Sequence, residues 1–258
     1  MTRPWWLRGT TALVAWMIAS AAAPYHEAAE LYKRGKYLEA ASLAATADTA
    51  SSLALAARAT LTHAIYVADR PQRAAEVQRA ADVARKALTL DPGHVEAHLQ
   101  LVIALYHQSR ATTLIGAYFE GYAAEARSHL DTALSLDPNN PWAYSLLGGW
   151  HFEIVRLAGS ALADLLLDAN LAEGRGAFAK AIALMPRSIV VQYEFARALL
   201  LSDPDTNRAR AVQALEAALA ETPISHLEKL MAARARATLD AVKSGSPEVL
   251  QSTLDPDR

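Results

Sequence analysis

Four prolines, Pro92, Pro138, Pro186 and Pro223, close the same short pattern. Five residues before each stands an alanine: Ala87, Ala133, Ala181 and Ala218. Twelve before stands another small residue, Ala80, Ala126, Gly174 or Ala211, and eight before the last three comes Leu130, Phe178 or Leu215. Proline has no amide proton to donate and its ring clashes with the preceding turn, so each one ends a helix. The small positions lie on one helix face and let a neighbour approach, while the large side chain between them fills the gap. Apolar spacing resumes two or three residues past each proline, as in "ALSLDPNNPWAYSLLGGW" at 133–150. So short a turn makes consecutive helices antiparallel. A chain punctuated in this way folds as a series of helical hairpins.

Composition agrees. The chain has 258 residues, is rich in alanine and contains 11 glycines and 11 prolines. Alanine has the highest intrinsic helix propensity, and strand-like alternation is scarce. The net charge of −2 supplies no basic surface for nucleic acid. There is no cysteine, which excludes a disulfide framework and a lipid-modified cysteine.

The first residues read as a secretory signal. Arg3 and Arg8 precede the apolar run "TTALVAWMIASAAA", and Ala19 and Ala21 form a small-x-small cleavage pattern. Cleavage is expected near Ala21–Ala22, leaving the protein periplasmic or otherwise exported. The alternative is an uncleaved anchor, the one route by which the chain would meet a membrane. Its run is shorter than the roughly 20 residues that span a bilayer.

The repeated pattern resembles the tetratricopeptide repeat (TPR) family, whose units read W-x2-L-G-x2-Y, A-x3-F and A-x4-P. "YSLLGGWH" supplies Tyr144, Leu147, Gly148 and His151, and "GRGAFAKAIALMP" supplies Gly174, Phe178, Ala181 and Pro186. The resemblance covers about residues 25–243 and also takes in Gly35, Tyr37 and Ala40. It implies an all-α fold: a right-handed superhelical stack of about five hairpins with a C-terminal capping helix. The expected pairs are 25–50, 52–92, 95–138, 141–186 and 189–223, with a cap at 224–243. The repeat domain is thus expected over 22–243, followed by a flexible tail at 244–258. One departure stands out. The prolines are 46, 48 and 37 residues apart, against about 34 in the family. The excess falls in two apolar insertions, 107–122 and 152–174, either as longer first helices or as an extra short helix.

Residues that could carry chemistry do not assemble into a known constellation. His94 and His98 are spaced i, i+4, but Glu96 is misplaced for H-E-x-x-H and no third metal ligand follows. Ser160 lacks the strand and glycines of a nucleophile elbow. The glycines of "GRGAFAK" follow no strand, and Gly116-x4-Gly121 lacks a lysine. His151 and Glu153 point to different sides of a helix, and Asp164 and Asp168 read as solvated carboxylates. No enzyme, cofactor or metal site is expected.

The TPR resemblance also implies a binding groove lined by the first helix of each pair. Projected from the prolines, it offers Tyr106 and His107, then Trp142, Phe152 and Glu153, then Tyr193 and Arg197. The competing reading places several of these in the core, and Arg197 beside Glu194. The function this implies is a non-enzymatic scaffold for another exported protein, or for a second copy of itself. An alternative is a likeness to the T component associated with TRAP transporters, which would add an apolar small ligand and a substrate-binding partner.

Overall fold

The computed structural model describes residues 24–110 and 121–254, and the secretory-signal segment 1–21 lies outside them. Every regular element among the described residues is helical. The chain divides into two compact units, Met1–Gln100 and Leu101–Arg258.

In the first unit α1 covers 24–33, and α2 (Tyr37–Ala45), α3 (Ala50–Tyr66) and α4 (Arg70–Leu90) follow. The start of α5 (Val95–Arg110) completes it. Ala28, Ala44, Leu55 and Ala56 form one buried cluster, and Leu53, Ala54, Ala87 and Ala97 form another. Most of these are alanines, because helix axes approach closely only where side chains are short. Leu55 and Leu53 supply the bulk.

The second unit contains the end of α5, then α6 (Tyr122–Leu136), α7 (Pro141–Ala158), α8 (Ser160–Leu167) and α9 (Leu171–Leu184). After these come α10 (Ile189–Ser202), α11 (Pro204–Leu219), α12 (His226–Ser244) and α13 (Pro247–Leu254). Within it α7 packs on α6 and α9, α10 packs on α7 and α11, and α12 packs on α10 and α11. Each expected hairpin has its two helices. Ala87, Ala133, Ala181 and Ala218 are fully buried, as are Leu130, Phe178 and Leu215.

The "DPNNP" turn explains the stop and restart. The Asp137 carboxylate accepts from Asn139 N at 3.3 Å and from Asn140 Nδ2 at 3.0 Å. Asn140 in turn caps α7 by accepting from Ala143 N at 3.0 Å, and Pro141 occupies the first helical position. Proline suits that place because its missing amide would have no helical partner. Gly148 then gives Phe178 its seat: a Cβ there would stand 2.5 Å from Phe178 Cδ2.

The insertion at 152–174 takes the second of its two expected forms. It contains an extra helix, α8, which leaves α7 at Gly159, whose φ of +77° suits glycine. Of the insertion at 107–122, residues 111–120 lie outside the described residues. Within the tail segment, residues Pro247–Leu254 form a helix. Ser246 Oγ accepts from Val249 N at 3.3 Å to cap α13, and Leu254 is buried.

Candidate functional site

Within the second unit, one face carries a chain of polar and aromatic side chains from α5, α7 and α10. On α7 the residues Trp142, Ser145, Gly149, Glu153 and Arg156 recur every three or four positions and so share a side. Trp142 is 39% exposed, and a Cβ at Gly149 would meet nothing within 4 Å. On that side of α7 Trp142 reaches solvent, whereas Ser145, between it and Gly149, is buried.

Further along the face two glutamate–arginine pairs are spaced i, i+3. Arg156 donates to Glu153 through Nε at 2.8 Å and Nη2 at 2.6 Å, a two-pronged pair with both side chains largely buried. Arg197 Nε donates to Glu194 at 3.0 Å. The hydrogen bond to Glu153 is the main reason Arg156 is held above its usual pKa. Burial works against the charge on Arg197, but Glu194, Tyr106 and Tyr193 outweigh it and hold its pKa well above the usual range. Tyr106 lies close enough to act on both guanidinium groups. Its own helix adds Arg110, whose guanidinium lies 5.8 Å from the Tyr106 ring centre, and His107, edge-on at 4.9 Å. Each guanidinium has five N–H donors. Arg156 gives two to Glu153 and Arg197 one to Glu194, so both are oriented with donors to spare.

The residues projected from the TPR resemblance therefore separate. Tyr106, His107, Trp142, Glu153 and Arg197 belong to this face or its approaches. Phe152 and Tyr193 do not reach solvent. Phe152 is 3% exposed and packs its ring against the bare backbone of Gly174, where a Cβ would stand 2.9 Å away, and 6.0 Å from the Phe178 centroid. Tyr193 is 2% exposed, and burial raises its pKa. Both are core residues. Sequence reasoning missed Arg156, although Glu-x-x-Arg at 153–156 carries the signal for a helical ion pair.

A separate cluster in the first unit brings Ser51, His94, Arg58 and Glu96 together. Ser51 Oγ lies 3.0 Å from His94 Nε2, a distance that suggests a nucleophile and its base. Ala97 N donates to His94 Nδ1 at 3.3 Å, however, so Nδ1 is the accepting nitrogen. Neutral His94 then carries its proton on Nε2 and donates to Ser51, the reverse of what activates a serine. Arg58 pairs with Glu96 at 3.3 Å and lies over the Tyr32 ring at 4.9 Å. His94 and His98 are held by different partners, Ser51 and the Pro92 carbonyl.

The model of the family described as "Regulator of microtubule dynamics protein 1-3" matches residues 24–243. A crystal structure of a thermophilic TPR protein from Thermus thermophilus is similar with a TM-score of 0.60 and 18% identity. The match covers 84% of this chain and 98% of that chain. At that identity the likeness is one of fold, and it supports the TPR-like hairpins. No curated protein matches the sequence. The resemblance to the T component of TRAP transporters gains no support from these comparisons.

Proposed function

We propose, since the chain belongs to the Regulator of microtubule dynamics protein 1-3 family over residues 24–243, that it is a helical-repeat scaffold whose work is to hold another protein. The observation that carries this reading is the face built by Tyr106, Glu153, Arg156 and Arg197. Its ion pairs are oriented with donors left over, its aromatic groups offer contact area at low entropic cost, and Gly149 leaves room beside them. Oriented donors in a half-buried strip that leads to exposed Trp142 suit a segment of polypeptide. The family is named for the regulation of microtubule dynamics, which favours a protein partner over nucleic acid.

Photo-crosslinking tests the face. A photoreactive residue replacing Tyr106 or Trp142 is expected to trap the same polypeptide in cells, and one replacing the exposed Lys180 of α9 is not. Equal trapping from all three positions, or none from the first two, refutes the assignment.

Export belongs to the same proposal and rests on Arg3, Arg8 and the apolar run that follows. N-terminal sequencing of the protein purified from its own cells is expected to begin at residue 22. A chain beginning at Met1 refutes cleavage.

A further inference from the structure

The second unit has another surface that the proposed function does not use. Helix α8 is seated by buried Ala163 and turns Leu162, Leu165 and Leu166 outward, with exposures of 52%, 77% and 51%. Leu157, at the end of α7, is also exposed. Folded monomers rarely leave such a cluster open without a use for it. Beside this ridge lies an open trough of about 500 Å³ between α6 and Trp150, with Leu167 of α8 on its rim.

Two of the trough's hydroxyl groups are turned back onto α6. Thr132 Oγ1 donates to the Ser128 carbonyl at 2.9 Å, and Ser135 Oγ donates to the Thr132 carbonyl at 2.7 Å. Both hydroxyl protons are therefore spent on the helix itself. Trp150 gives its indole proton to the Ala123 carbonyl at 3.0 Å. Arg127 lies over the Trp150 ring at 5.3 Å and uses one donor, Nε, on Asp131 at 2.9 Å.

We propose that this surface joins two copies of the chain, the leucine ridge of α8 in each lying in the α6 trough of the other. A two-fold interface needs one patch to carry both a shape and its complement. Here ridge and trough adjoin and share Leu167. Their lengths agree: the trough follows α6 from Ala124 to Ser135, about 16 Å, and the eight residues of α8 span about 12 Å. The charges agree as well. Asp164 and Asp168 are exposed along the ridge, and Arg127 on the trough wall has donors beyond the one given to Asp131. Crossing from one copy to the other brings carboxylate to guanidinium twice. The same carboxylates would repel an anionic lipid surface, so a second copy fits the ridge better than a membrane.

Sedimentation velocity of the full chain across the micromolar range tests this. Wild type is expected to pass from monomer to dimer. Leu162→Glu with Leu165→Glu should raise the dissociation constant at least about tenfold while leaving the circular dichroism of the monomer unchanged, since both side chains face water. A charge exchange tests the pairing directly. Arg127→Glu alone and Asp164→Arg with Asp168→Arg alone should each weaken self-association, and an equimolar mixture of the two variants should restore it. A wild-type chain that remains monomeric throughout, a dimer indifferent to the leucine changes, or a ridge that captures only a different protein or a phosphatidylcholine vesicle overturns the proposal. None of these outcomes bears on the Tyr106 face, so the two readings fail separately.

Discussion

His98 reaches back six residues and donates from Nε2 to the carbonyl oxygen of Pro92 at 2.9 Å. The same reach recurs after the next two helix-ending prolines. Tyr144 Oη donates to Pro138 O at 3.2 Å, and Gln192 Nε2 donates to Pro186 O at 3.4 Å. Three different residue types thus tie the first turn of a new helix to the proline that ended the last one. His98 is buried and Tyr144 lies on the exposed side, so the contact should matter unequally. His98→Ala is expected to cost about 1–3 kcal/mol in urea unfolding, whereas Tyr144→Phe should stay within about 0.5 kcal/mol. Equal losses at the two sites would show that the bond itself, and not the burial around it, sets the cost.

Gly148 and Phe178 form a matched pair across α7 and α9. Phe178→Ala removes a ring that is 1% exposed and packed 5.0 Å from the Phe195 centroid. It should cost about 3–5 kcal/mol. Gly148→Ala gains helix propensity yet drives a methyl group into that ring, for a net loss of about 1–3 kcal/mol. Adding Phe178→Leu to Gly148→Ala should recover part of that loss. Strictly additive losses in a double-mutant cycle would mean the two positions do not touch.

His151 makes stability depend on pH. It is buried, and its Nδ1 accepts from Asn170 N at 3.2 Å. Burial first, and Arg127 second, lower its pKa below the ordinary 6.5, against smaller opposing effects of Glu173, Asp168 and Asp131. The unfolded chain therefore binds the proton more readily than the folded one. Its contribution is complete above the unfolded value and is lost as pH falls below it. Melting temperature should drop from pH 7.5 to 5.5, and His151→Asn, which keeps an acceptor near Asn170, should shrink that drop. Parallel profiles for the two proteins would remove His151 as the cause.

Arg197→Lys retains a positive charge but loses the planar fork that Glu194 orients. If the α5–α7–α10 face holds a protein segment, this variant should trap less partner from a crosslinker at Tyr106 while its melting curve stays close to wild type. Arg156→Lys should behave similarly, with a larger stability loss because its pair with Glu153 is two-pronged and more deeply buried. Undiminished trapping in both variants would take the arginines out of recognition.

The hairpins were legible in the sequence because they depend on steric demands that few residues meet. Only proline stops a helix so abruptly, and only alanine or glycine admits a neighbouring axis at the small positions. The face was harder to read. A register projected from the prolines placed Phe152 and Tyr193 in the groove, but side-chain direction on a helix turns by about 100° per residue, and both rings rotate into the core. Gly174 held the clue. It stands where the other repeats have alanine, and the missing methyl is the space that Phe152 fills. The course of α8 could not be read from spacing at all, since an apolar insertion looks the same whether it faces inward or out.

Asp137 and Asn140 complete their turn using groups that lie within the turn or the helix beside it. A junction closed by its own atoms asks nothing of the hairpins on either side. Such a chain can hold extra material inside one pair, as α8 stands between α7 and α9, without its neighbours having to change in step. Variation is therefore free to gather in the loops that join a pair, and new specificities can arise there while the alanine-lined seams stay as they are.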